Sequence, residues 1–306
     1  MTPAFNERSN LPALHERLAA SLKHLEWEWI VVDDHSGDDT FSVVERLAAG
    51  DPRIRGIRLA RNSGSHVAIT CGLHHATGDA AALVVSDLQD PPELLAEMIA
   101  RWRGGAQVVW AVRRQRPGDP QHTWFAAVYY WIMRRLVGLT DMPPTGADFF
   151  LIDRIVIDAF LAAAGRHVSV FALLMWLGFR REFIEYDKQP RVSGQSGWTL
   201  AKRVKLVVDS VVGLSDFPIW WCIYAGCSLM LVALVGVVAL AWSTASGAAV
   251  WLAALIVWLF GLQLVALGLV GQYVWRALHA SRGRPLYAIE AVTGLVAIPS
   301  VQQGRR

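Results

Sequence analysis

Residues 27–40 read WEWIVVDDHSGDDT. The step from the bulky run Trp29–Val32 to the acids at Asp33 and Asp34 decides the fold. A short β-rich run that stops at polar residues reads as a buried strand feeding a functional loop. The same pattern recurs outward from it. Strands are expected at Trp27–Asp34, Ile54–Ala60, Ala80–Ser86 and Ala106–Val112. Helical patterns lie between them at Asn10–His24, Asp39–Ala49, Gly64–Ala76 and Pro91–Arg103. Strands alternating with helices predict an α/β, Rossmann-like domain whose mostly parallel sheet is covered on both faces. Such sheets bind ligands at the carboxyl ends of their strands. The polar clusters fall there: Asp33-Asp34, Arg61-Asn62, Asp87-Leu88-Gln89-Asp90 and Arg113-Arg114. Acids and arginines converging on one edge suit a diphosphate held with a divalent cation. GxGxxG and GxxxxGK[ST] are both missing, so neither a dinucleotide site nor a P-loop is supported.

Composition separates a second part from this domain. Of the 306 residues 54% are hydrophobic and only 18% charged, against about 45–50% and about 25% in ordinary globular chains. The deficit is local, because no charged residue occurs from Phe217 to Trp275. Disorder, collagen and a secreted disulfide scaffold are excluded. Cys71, Cys222 and Cys227 form no CxxC pair, so neither structural zinc nor disulfides are implied. A net charge of +3 is too weak to indicate nucleic acid. The opening MTPAFNERSN has neither a basic start nor an apolar core, so the first domain is expected to stay in the cytosol.

Two stretches are long enough for a bilayer, which needs about 20 residues each. They run from about Pro218 to Trp242 and from about Ala249 to Trp275, joined by STASGAA. Lys202, Arg203 and Lys205 precede the pair, and Arg276, Arg282 and Arg284 follow it. By the positive-inside bias both flanks are cytoplasmic and the tip faces out. Ahead of the first span, residues 199–217 place Leu200, Val204, Val207, Val208 and Val211 at helical spacing, away from the basic residues. This reads as an amphipathic helix on an anionic leaflet. The expected organisation is a cytoplasmic domain at 1–198, a juxtamembrane helix at 199–217, two transmembrane helices within 218–276 and a cytoplasmic tail at 277–306. That makes a multi-pass protein of the inner (cytoplasmic) membrane.

In order, Pro3-Ala4-Phe5-Asn6-Glu7, VVDDHSGDDT, RNSGSHVAITCGL, SDLQDPPE, PPTGADFFLIDR and RVSGQSGWTLAKRVKL resemble the family 2 glycosyltransferases of GT-A fold. More narrowly they resemble the polyprenyl-phosphate glycosyltransferases. GLQLVALGLVGQYVWRAL followed by RGRPLYAIE is similar to that group's second membrane helix and tail. The resemblance implies a UDP-sugar donor, an undecaprenyl (polyprenyl) phosphate acceptor, Mg²⁺ or Mn²⁺, and a homo-oligomer of tetrameric type. It implies that Glu7, Asp33 and Asp34 hold uracil and ribose, with Pro3, Asn6 and Arg61 in the same nucleotide-sugar site. Asp87 and Gln89 would face the metal and diphosphate, and Arg113 would meet phosphate near the reaction centre. Asp148 matches the position proposed as catalytic base. Arg191, Ser196 and Lys202 match the acceptor side.

Each residue has a plainer reading. Asp33 or Asp34 could cap the next helix, the arginines after the last strand could be a solvated run, and Asp148 could be a turn residue. His74-His75 is a poor metal pair because adjacent residues point to different faces of a helix. The chain departs from the pattern at Val85, Ser65-His66, Phe150 and Gly197-Trp198, where relatives carry acids, cations or Lys-Tyr. A lipid phosphate is mostly dianionic at neutral pH, because its second pKa lies near 6. Asp148 is therefore expected to orient the acceptor more than to deprotonate it. The expected reaction is inverting transfer of one sugar to the lipid phosphate at the cytoplasmic face. A processive synthase would want QxxRW and more spans. A degenerate, nucleotide-sugar-binding membrane protein assisting a flippase is the alternative from another class.

Overall fold

The computed structural model describes residues 1–114, 131–135, 149–163, 169–187, 248–281 and 285–294, with Tyr224, Ser228 and Leu231 as isolated positions. The chain runs β1 (Thr2–Ala4), α1 (Leu11–Ser21), β2 (Trp29–Asp33), α2 (Thr40–Gly50), β3 (Ile54–Leu59), α3 (Ser65–His75) and β4 (Ala80–Ala82). A short 3₁₀ turn (Pro92–Leu94) leads into α4 (Leu95–Arg103), then β5 (Val108–Arg113), β6 (Phe149–Asp153), α5 (Arg154–Ala163), α6 (Val170–Trp176) and β7 (Arg181–Tyr186). After these come α7 (Ala248–Ser281) and β8 (Ile289–Thr293).

Two four-stranded sheets, ordered β1-β2-β3-β8 and β4-β6-β5-β7, are joined through the first residue. The Met1 ammonium donates to Ala82 O at 2.8 Å, and Val84 N donates to Met1 O at 3.0 Å. One residue bonding two partners that flank a single position is the parallel pattern. The strands therefore form one surface, β8-β3-β2-β1-β4-β6-β5-β7. Pairings β1–β2, β2–β3 and β5–β7 are parallel, whereas β8 and β6 run against their neighbours. The expected mostly parallel sheet is thus mixed, with one antiparallel strand inside it and one at its edge.

Alternation along the strands builds the core. Trp29 and Val31 of β2, Val109 and Ala111 of β5, and Phe149 and Leu151 of β6 face one layer, with α1, α2 and α4. Their in-between neighbours Val108, Trp110, Phe150 and Ile152 face the other, with α3, α5 and α6. Period-two side chains buried on both faces require helices on both faces. The helices supply matching stripes, such as Leu11, Leu14 and Leu18 on α1. Phe150 is fully buried and meets Trp110 edge-to-face at 5.5 Å. The departure from a basic residue there therefore serves packing.

The expected second span corresponds to α7, 34 residues and so about 51 Å long at 1.5 Å per residue. Ile256, Phe260, Leu267, Val270 and Val274 recur at helical spacing and are each more than half exposed. Among the described residues no helix is long and apolar enough to cross a membrane, so the structure does not show the expected two-span hairpin. The expected first span and juxtamembrane helix lie outside the described residues, apart from the three isolated positions.

Candidate active site

The carboxyl ends of β1, β2, β3, β4 and β5 meet at one edge, and the loops leaving them carry unusual backbone. Asn6, His35 and Leu88 have φ of 59°, 60° and 59°. They are the only non-glycine residues with positive φ among the described residues, and they lie in the segments that follow β1, β2 and β4. Left-handed non-glycine residues cost about 1–3 kcal/mol each and cluster where function requires a fixed shape.

Asp33 is fully buried at the end of β2. It accepts from Ser36 N at 3.0 Å, from the Ser36 hydroxyl and from Arg58 Nη1 at 2.8 Å. Asp34 accepts from the amides of Ser63 at 2.7 Å and Gly64 at 2.8 Å, pinning the loop that enters α3. Burial and the adjacent Asp33 charge hold its carboxyl above the ordinary range, against the pull of those two amides. Neither acid caps α2; Thr40 N is taken instead by Asp38 at 3.0 Å. The helix-cap reading is therefore wrong, and the pair instead braces the loops that follow β2 and β3.

Asn6 and Glu7 join this bracing from the β1 loop. Asn6 N donates to Ser36 Oγ at 2.9 Å, and Gly37 N donates to Asn6 Oδ1 at 2.9 Å. Glu7 N donates to Thr40 Oγ1 at 2.9 Å, while the Glu7 carboxylate receives Asn10 Nδ2 at 2.6 Å. Pro3 O receives the Ser86 hydroxyl at 3.3 Å, linking β1 to the loop after β4. Arg61 is exposed beyond β3.

Asp87 is buried just beyond the β4 strand and receives Gln89 N at 3.2 Å. Asp90 is fully buried and bound by the Tyr186 hydroxyl, so it ties this loop to β7. Arg113 ends β5 at the same edge, half-buried and in register with Tyr186. Phe149 pairs with Ala111, so the chain enters β6 beside these groups. Asp148, Arg191, Ser196 and Lys202 lie outside the described residues. No group of three or more His, Cys, Asp or Glu is gathered for a metal among the described residues. Asp87 alone fits a hard cation that takes one carboxylate and completes its shell with substrate phosphates and water. Such an ion would neutralise charge on a leaving diphosphate.

His74 and His75 do not point apart as expected: their rings lie 5.5 Å from each other and both pack against Tyr287, at 6.4 Å and 6.3 Å. His75 Nδ1 donates to Cys71 O at 2.9 Å in the core, and His74 Nδ1 meets Tyr287 Oη at 3.0 Å. Burial pushes the Cys71 thiol up to about 12, so it is inert. Sequence reasoning passed over Ser36, Arg58, His35 and Glu290. Arg58 lies on the strand IRGIRL, where an arginine between apolar residues signals a solvent face. Glu290 lies more than 230 residues away in sequence, and nothing local links it to Arg58.

A mixed sheet covered by helices on both faces, with acids at the carboxyl ends of its strands, is the α/β fold of the GT-A glycosyltransferases. Residues 1–161 match Glycosyl transferase family 2, and the chain belongs to that family. It is 33% identical over 306 residues to a Synechocystis sp. protein named uncharacterized glycosyltransferase sll0501, covering 97% of this chain and 96% of that one. It is 30% identical to the prophage bactoprenol glucosyl transferase homolog of Escherichia coli, covering 95% and 98%. The same identity holds to the bactoprenol glucosyl transferase of Shigella phage SfV, covering 95% and 97%. Among solved structures it is similar to glucosyl-3-phosphoglycerate synthase from Mycobacterium tuberculosis in complex with Mn²⁺, uridine-diphosphate-glucose and phosphoglyceric acid. That likeness has a TM-score of 0.53 at 16% identity, over 69% of this chain and 77% of that one, and concerns the fold.

Proposed function

We propose that this chain transfers one sugar, with inversion, from a UDP-sugar to a polyprenyl phosphate such as undecaprenyl phosphate at the cytoplasmic face of a membrane. The observation that carries the reading is the single edge where Asp33, Asp34 and Asp87 are gathered beneath three left-handed turns. The names of the bactoprenol relatives support a lipid phosphate acceptor, and the Mn²⁺ and UDP-glucose of the structural neighbour support the donor and the metal. In this reading Asp33, Asp34, Asn6, Glu7, Pro3 and Arg61 shape the nucleoside side. Asp87 and Gln89 face the metal and diphosphate, and Arg113 offsets charge on the leaving group. Asp148 orients an acceptor that needs little deprotonation, and Arg191, Ser196 and Lys202 receive its phosphate.

The return of the tail constrains how a membrane anchor would be built. Strand β8 follows α7 and pairs with β3, in the sheet that contains β1. If α7 crosses a bilayer, the catalytic domain and the tail still share one side, so the crossings are even in number. The sequence offers the second at 218–242. Anchoring would hold the site at the plane where a lipid phosphate emerges and raise its effective concentration.

The test is transfer of radiolabel from a panel of UDP-sugars into a butanol-extractable lipid, using membranes supplied with undecaprenyl phosphate. Label in the lipid from one donor, lost with EDTA and restored by Mg²⁺ or Mn²⁺, is the expected result. Binding of UDP-sugar without any transfer would favour the non-catalytic alternative.

A further inference from the structure

We propose that Glu290, on the strand that follows α7, is a positioning residue of the donor nucleotide site. The assignment rests on the nucleotide-sugar reading above. β8 pairs with β3 as Gly56↔Thr293, Ile57↔Val292, Arg58↔Ala291 and then Leu59↔Ile289. The register skips one residue, and that residue is Glu290. A bulge bends the strand and re-aims the extra side chain, and bulges recur beside active sites. Here the carboxylate is turned onto two groups of that bracing. Glu290 Oε2 receives Arg58 Nε at 3.1 Å and lies 3.1 Å from His35 Nδ1.

Both contacts lead inward. Arg58 spends its other nitrogens on the buried Asp33, at 2.8 Å, and on Ser36 O, at 3.1 Å. His35 Nδ1 also faces Leu59 O at 3.1 Å. Its two partners are both acceptors, so Nδ1 carries the proton. His35 is one of the three left-handed residues, a conformation that persists where neighbours over-determine it. One carboxylate therefore fixes the guanidinium that holds Asp33 and the imidazole that holds the turn after Asp34. Glu290 itself is about half exposed and need not touch the nucleotide. Its charge draws on Arg58, which keeps the carboxyl below the ordinary range.

The full-length protein in nanodiscs is titrated with UDP by calorimetry and assayed for transfer, as wild type, Glu290→Gln, Arg58→Gln and the double variant. Glu290→Gln should weaken UDP and raise the donor KM by about twofold to fivefold, the scale of a half-exposed ion pair. Turnover at saturating donor and the acceptor KM should stay within about twofold. The double variant should bind UDP no worse than Arg58→Gln alone, since Glu290 acts through that arginine. Unchanged UDP affinity in Glu290→Gln overturns the proposal. So does a uniform loss of kcat, both KM values and thermal midpoint, which marks general loosening. If the wild type itself binds no UDP, the nucleotide-sugar reading fails first, and the two failures are told apart.

Discussion

Asp33 and Asp34 are neighbours in sequence, yet one faces an arginine and a hydroxyl while the other faces two amides. Their position was legible in the sequence because a buried strand ending in acids has few other uses. Their partners were not, since each comes from a different loop. Asp87 was legible for the same reason. Replacing it by Asn keeps its shape and removes its charge, so turnover should fall on the order of 10²-fold or more, as when one strong transition-state stabiliser is deleted. Rate measurements across a Mg²⁺ and Mn²⁺ titration check this, and an unchanged rate would reduce Asp87 to a turn residue. Asp51 shows a charge used for stability, at the opposite edge of the sheet. Arg53 grips it through Nε at 2.9 Å and Nη2 at 2.7 Å, and His15 Nε2 lies 3.1 Å away. The Arg53 hydrogen bonds hold its carboxyl far below the ordinary range. A depressed carboxylate contributes stability that is complete above its unfolded pKa, about 3.9, and is lost as pH falls through the folded value. Asp51→Asn should therefore cost on the order of 1 kcal/mol near neutral pH. The gap from wild type should narrow below about pH 4, as denaturant melts at both pH values would show.

Strands β2, β3 and β5 and helices α1 to α4 follow the sequence pattern to within a few residues, because each carries its own apolar period and its own stop. Strands β6, β7 and β8 do not announce themselves. FFLID and REFIEY are too short to outweigh their surroundings, and IEAVT gains its meaning only from pairing with a strand far upstream. Gly56 records that pairing. A Cβ placed there would stand 2.5 Å from Val44 Cγ1 and 2.6 Å from Thr293 Cγ2, so α2 and β8 both close over a bare backbone. Val44 is fully buried and has nowhere to move. Gly56→Ala should destabilise the domain by about 1–3 kcal/mol through overpacking. Hydrogen exchange should localise the loss to β8 and α2; protection equal to wild type in β8 would contradict the packing described here.

For the molecule as a whole, topology is the decisive quantity. In intact spheroplasts a cysteine at Ser281, the last residue of α7, should stay unlabelled by an impermeant maleimide, while one at Ser246 should react. Reversed labelling would put the pocket in the wrong compartment. The return of the tail to the domain was not legible in the sequence, because no local pattern encodes a pairing of such separation. That pairing also sets an order of events. β3 is synthesised long before its edge partner β8, which emerges only after every apolar residue between them has left the ribosome. Non-local pairing forms slowly, and an open strand edge recruits other chains while it waits. The nascent sheet must therefore remain incomplete until β8 arrives. A chain released before residue 289 should collect as aggregate, and the Arg58–Glu290 contact beside the buried Asp33 should arise only on molecules whose tail has already docked.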